Sequence, residues 1–197
     1  MVATDAAQRE EIAALSWPET VAWIGLRLAE ALQYASDHGV LHRDIKPANV
    51  LLAADGTPKL ADFNVSSSDT VRAGAGFLGG SVAYMSPEQL EACHPHRPRS
   101  AADLDTRSDI YALGVMLWEL LTGSRPGADH VAETPTVDAL DAMLRTRRAP
   151  PHGDALTALP SDCPQTLRRV LTRCLAPEPA DRWASGAELA QQFDLCL

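Results

Sequence analysis

The stretch Asp109–Thr122, DIYALGVMLWELLT, constrains this chain more than any other. Apolar residues fall on nearly every face of the helix it would form, and a helix with that pattern has to be surrounded by protein. Gly123 follows directly and supplies a stop. The expectation is a mainly α fold with residues 109–122 as its axis, which the other segments must wrap.

The wrapping is legible. Ser16-Trp17-Pro18-Glu19 reads as an S-x-x-E capping box, and Val21, Ile24, Leu28, Leu32 and Ala35 follow at helical spacing up to Gly39. This predicts an amphipathic helix of about five turns. Two more close the chain, one carrying Leu167, Val170, Leu171, Cys174 and Leu175, the other opening at a second capping box, Ser185-Gly186-Ala187-Glu188. Between them and the axis, the Pro- and charge-rich segment 124–163 yields one further helix, at 136–147. Val50-Leu51-Leu52 and Lys59-Leu60-Ala61 flank Asp55-Gly56, the pattern of a short β-hairpin. Residues 1–15 are polar and Ala-rich, a lead-in that reads as frayed helix or disordered chain. Loops are expected at 65–80 and 91–105.

Composition narrows the class. The 197 residues fit one domain, and 46% of them are hydrophobic, enough for a real core built largely from Leu, Ala and Val. A formal net charge of −9 disfavours nucleic acid and anionic membrane as partners and leaves proteins and small molecules. Cys93, Cys163, Cys174 and Cys196 form no CxxC pair, which argues against a zinc site and a disulfide framework and for a reducing, cytoplasmic setting. Acidic residues stand where a signal peptide needs positive charge, and no apolar run reaches the roughly 18 residues of a membrane span.

The chemistry lies between the first helix and the hairpin and in the segments that follow it. His42-Arg43-Asp44-Ile45-Lys46-Pro47-Ala48-Asn49 matches H-R-D-x-x-x-x-N throughout. The spacing lets one carboxylate meet a substrate hydroxyl while a side chain further on turns back to hold a metal on phosphates. Asp62-Phe63-Asn64 follows the hairpin, and Ser81-Val82-Ala83-Tyr84-Met85-Ser86-Pro87-Glu88 follows the Ser/Gly-rich loop. Together these ordered motifs resemble the Ser/Thr protein kinases, bacterial ones most, over roughly residues 16–195.

The resemblance implies a kinase C-terminal lobe over 16–197: a helical bundle around a buried central helix with a small β-hairpin, a catalytic loop at 42–49 and an activation segment at 62–88. It implies Mg-ATP as cofactor and a protein Ser or Thr as substrate. Asp44 would be the base that orients the hydroxyl, and Lys46 would neutralise the transferring phosphate. Asn49 and Asp62 would hold magnesium, and Leu51 would contact the nucleotide. Asn64 replaces the Gly of D-F-G, and Asn is the residue that next best tolerates positive φ. Glu88 should pair with Arg182, and Asp109 should hold the backbone of the catalytic loop.

A whole kinase domain also places a Gly-rich loop, a β3 Lys and an αC Glu before its catalytic loop. Here 41 residues precede His42, and they read as helix, with no Val-Ala-Ile-Lys. Gly74, Gly76 and Gly79 spell Gly-x-Gly-x-x-Gly, but with no strand before them they read as a decoy. The N-lobe is therefore expected to be absent, and phosphoryl transfer to need one from an upstream segment or a separate chain. The alternatives are a non-catalytic, pseudokinase-like lobe that binds proteins, with self-association over its uncovered face, and a truncated fragment.

Other residues have ordinary readings. Ser66, Ser67, Ser68 and Thr70 are phosphosite candidates that could pair with Arg43, though loop solubility accounts for them as well. Cys93, His94 and His96 lack a fourth ligand for a metal site. Arg145, Arg147 and Arg148 read as a solvated helix end.

Overall fold

The computed structural model describes residues 2–63, 81–127, 136–149 and 154–197. The polar lead-in is helix α1 (Val2–Ala13). It lies against the hairpin, where Gln8 Nε2 donates to Thr57 Oγ1 at 2.9 Å. Helix α2 (Trp17–Asp37) starts at the expected capping box: Ser16 Oγ accepts the Glu19 N–H, and Glu19 Oε2 accepts the Ser16 N–H at 2.8 Å. Val21, Leu28 and Leu32 are on its buried face.

Strands β1 (Val50–Leu52) and β2 (Pro58–Leu60) pair antiparallel with Val50 opposite Leu60. They form the one sheet among the described residues. The connection closes with Gly56 N–H donating to Ala53 O and Ala53 N–H to Thr57 O, both at 2.9 Å. Gly56, at φ 89°, takes the left-handed angle this loop type requires. Asp55 Oδ1 accepts the Thr57 N–H at 2.8 Å and stiffens the turn.

Helix α3 (Pro87–Cys93) has its own capping box, Ser86 with Gln89. The Ser-Pro-Glu-Gln string carries that S-x-x-Q signal, which motif matching alone passes over. Helix α4 (Thr106–Thr122) buries twelve of its 17 residues and is the axis that its sequence requires. Gly123 ends it at φ 78°. Helices α5 (Val137–Arg147), a single-turn α6 (Asp154–Thr157), α7 (Gln165–Cys174) and α8 (Gly186–Asp194) complete the order. At α8, Ser185 Oγ accepts the Glu188 N–H, while Glu188 reaches the Ala184 N–H at 2.7 Å, one residue short of a full box.

The main core joins α2, α4, α7 and α8 around Leu28, Leu113, Leu117, Trp118, Leu171 and Phe193. Two close approaches set the helix spacing. A Cβ on Gly114 would lie 2.6 Å from Cys174 Cβ, and one on Gly186 would lie 2.5 Å from Ala29 O. Val82, Met85 and Leu90 form a second apolar cluster with Leu140, Met143 and Leu144 of α5. That cluster ties the segment after the Ser/Gly-rich loop to the helical body.

Candidate active site

The catalytic-loop motif is fixed from below by Asp109, in the first turn of α4. Its carboxylate accepts the His42 N–H at 2.8 Å and the Arg43 N–H at 2.7 Å. Arg43 sits at φ 64°, a left-handed conformation that costs a side-chain-bearing residue about 1–2 kcal/mol. The two charge-assisted bonds offset that strain. Burial pushes the Asp109 carboxyl above its ordinary range, and the two backbone donors work against the rise. Gln89 Nε2 donates to Arg43 O at 3.0 Å, so α3 braces the same residue from the other side.

His42 links this loop to Asp62-Phe63. The ring is fully buried, with Nε2 2.9 Å from Ala61 O and its centroid 4.6 Å from that of Phe63. Nδ1 faces the Asp44 N–H at 3.4 Å, so the hydrogen-bond pattern assigns the proton to Nε2. Ala61 N–H donates to Asn49 O at 2.9 Å. These bonds bring the end of the hairpin alongside the catalytic loop, although Asp62 lies far from it in sequence.

Three of the expected site residues converge. Lys46 Nζ donates to Asp44 Oδ2 at 2.8 Å, and Asn49 Nδ2 donates to the same oxygen at 3.1 Å and to Asp44 O at 2.8 Å. Asp44 Oδ1, Asn49 Oδ1 and the Asp62 carboxylate make no hydrogen bond to the described residues. Asp62 adopts φ 57°, the second left-handed side-chain-bearing residue among those described. Such angles concentrate where a site over-determines the backbone. Leu51 is 59% exposed and Leu52 69%, so β1 presents an uncovered leucine on each face of the hairpin. Asn64, Ser66, Ser67, Ser68, Thr70, Gly74, Gly76 and Gly79 lie outside the described residues.

Oxygen donors of this kind suit magnesium, which is typically held by one or two carboxylates together with water and phosphate oxygens. No group of three or more His, Cys, Asp or Glu side chains with metal-binding geometry occurs among the described residues. The protein side thus offers a partial set that a nucleotide's phosphates would complete.

Below the site, Glu88 of α3 and Arg182 form the expected ion pair. Arg182 donates from both terminal nitrogens, at 2.5 and 2.9 Å, and also to the carbonyls of Ala176, Pro177 and Arg107. Ser108 Oγ donates to Glu88 Oε1 at 2.8 Å. Burial pushes the Glu88 carboxyl up, but the hydrogen bonds and charge of Arg182 outweigh it and hold it below the usual range. Tyr84 donates to Glu119 Oε2 at 2.6 Å, and burial together with that bond raises its phenol to about 12.

One reading is corrected. Arg147 is no part of a solvated helix end: its guanidinium is buried and donates to the carbonyls of Val82, Ala83 and Met85. A fork of donors meets carbonyls of the 3₁₀ turn at 81–83 and of Met85 just after it, a match that spacing in α5 does not reveal. Arg148 pairs with Glu91 at the surface. His94 accepts the His96 N–H on Nδ1 and places Nε2 3.6 Å from Asp141, an arrangement that secures the turn after α3.

The model of the protein kinase domain matches residues 7–193. The chain belongs to the serine/threonine protein kinase family. It is similar to a probable serine/threonine-protein kinase of Clostridium acetobutylicum, at 30% identity over 85% of this chain and 23% of the relative. It is also similar to serine/threonine-protein kinase PknK of Mycobacterium bovis, at 33% identity over 91% of this chain and 15% of the relative. A third relative is the probable serine/threonine-protein kinase PknB of Corynebacterium glutamicum, 32% identical over 88% of this chain and 25% of its own length. This kinase-family chain therefore spans a quarter or less of each of these relatives. No described helix is long and apolar enough to cross a membrane.

Proposed function

We propose that this chain is the catalytic lobe of a Ser/Thr protein kinase and acts in phosphoryl transfer from Mg-ATP to a protein Ser or Thr hydroxyl. The observation that carries the reading is the ordering of Asp44. Lys46 and Asn49 occupy Oδ2 and leave Oδ1 open to receive a hydroxyl. In this reading Asp44 orients the hydroxyl and takes its proton late, and Lys46 swings its charge onto the transferring phosphate. Asn49 Oδ1 and Asp62 would hold the magnesium, and exposed Leu51 would lie against the nucleotide base. Mg-ATP supplies the phosphoryl group; the chain's own residues supply position and charge, which dominate this chemistry.

The same reading makes this a C-lobe whose nucleotide grip comes from an N-lobe, upstream or on another chain. The exposed Leu51 and Leu52 favour a partner that covers the hairpin. They equally favour the second reading, a non-catalytic lobe that binds protein there. Titration with a fluorescent ATP analogue, with and without magnesium, separates the two. Magnesium-dependent binding that Asp62→Asn abolishes supports the kinase; binding indifferent to magnesium and to Asp62, or none even with an N-lobe supplied, supports the binding lobe. A cytoplasmic setting completes the proposal.

A further inference from the structure

A cleft of about 920 Å³ runs between α7 and α8 and shares no lining residue with the catalytic loop. Its charged lining residues are all arginines, Arg168, Arg169 and Arg173, in a chain whose Asp and Glu outnumber Lys and Arg by 26 to 17. Trp183, Leu156 and Leu195 supply its apolar surface.

The three guanidinium groups are held in different ways. Arg168 donates to the carbonyls of Leu156, Pro160 and Cys163, so no carboxylate meets it within the cleft. Arg173 lies 3.8 Å over the Trp183 ring and donates to Asp181 O and Arg182 O, with Glu188 at 3.9 Å as a loose counter-charge. Arg169 makes no hydrogen bond or ion pair with the described residues. Arg169 and Arg173 stand at i and i+4 on one face of α7, where like charges cost a few tenths of a kcal/mol. A concave wall with charges of one sign focuses potential. Arg173, already fixed by stacking and carbonyls, loses little freedom on taking a carboxylate, and Arg169 offers its whole guanidinium edge.

We propose that this cleft is a docking site for an extended, acidic protein segment whose Asp or Glu side chains meet Arg169 and Arg173 and whose apolar side chains pack on Leu156 and Leu195. Leu195 is 72% exposed and gives the apolar part a place to land. Charge complementarity selects an acidic partner, and two features select protein over nucleic acid. The chain's net charge of −9 repels a long polyanion. Arg173 also covers the Trp183 face on which a base would stack.

The test is fluorescence anisotropy of a fluorescein-labelled Glu- and Leu-containing peptide titrated with the 197-residue chain, its fold checked by circular dichroism. The readout needs no phosphoryl transfer. Saturable binding is expected, weakened about tenfold or more by Arg169→Glu, a change at an exposed position. Added salt should weaken it further, and exchanging Glu for Gln in the peptide should remove it. Equal affinity of the Arg169→Glu variant, no saturable binding by the folded wild type, or equally tight binding of single-stranded DNA of matched charge would each overturn the proposal.

Discussion

Replacing Arg182 with Met tests how the lobe is held together. Glu88 is 3% exposed and Arg182 1%, so the substitution strands a carboxylate inside the protein with Ser108 Oγ and the Glu88 backbone N–H still donating to it but no counter-charge. The carbonyls of Ala176, Pro177 and Arg107 lose their donor as well. Breaking one side of a buried pair costs about 3–5 kcal/mol, and the extra carbonyls place this variant at the upper end. Against a typical total stability of about 5–15 kcal/mol the loss is large. With a urea slope of about 2 kcal/mol/M, tryptophan-monitored unfolding should lose roughly 2 M from its midpoint. Glu88→Gln/Arg182→Met should cost less than the sum of its single variants by about 1–3 kcal/mol, since no unpaired charge remains. The pH dependence has a definite sign. The folded-state value of Glu88 is depressed below 4.5, so its contribution is full above that value and is lost as pH falls through the lowered one. Wild type should therefore lose more stability on acidification than the double variant. A loss under about 1 kcal/mol for Arg182→Met, or strict additivity, would show that the buried pair does not hold the lobe together.

Gly186→Ala places a Cβ 2.5 Å from Ala29 O and 2.7 Å from Gln33 N, both backbone atoms that cannot rotate away. Overpacking of about 1–3 kcal/mol should outweigh the modest helix-propensity gain and lower the melting temperature by several degrees in calorimetry; an unchanged or raised Tm contradicts it. Cys174 is fully buried, and that burial raises its thiol to about 12. At pH 8 it should react with a thiol reagent only as fast as the protein unfolds, while half-buried Cys93 and Cys196 react first. Rapid labelling of Cys174 in the folded protein would contradict its place in the core.

Where the sequence was informative, a local rule coincided with the global one. The apolar run from Asp109 to Thr122 needs enclosure whatever surrounds it, and α4 is enclosed. Ser16 with Glu19 caps α2 through bonds that need only neighbouring residues. Asp44, Lys46 and Asn49 cluster because one short loop carries all three. What spacing could not reveal depends on tertiary contact. Arg147 looks like one of three exposed cations on α5 until the 3₁₀ turn at 81–83 brings its carbonyls over it. The bonds from Ala61 to His42 and Asn49 join segments that only the hairpin brings together. The three arginines of α7 share a cleft only because α8 and Leu195 after it supply the other wall.

The central claim is that the Asp44 cluster performs phosphoryl transfer. The most direct measurement is transfer of radiolabelled phosphate from Mg-ATP to the chain itself or to a generic Ser/Thr substrate, with Asp44→Asn as the paired variant. Transfer that the Asn variant loses by a hundredfold or more, on the order of a lost general base, is the predicted result. Equal transfer by both proteins, or none from the folded wild type even when an N-lobe is supplied, would contradict it.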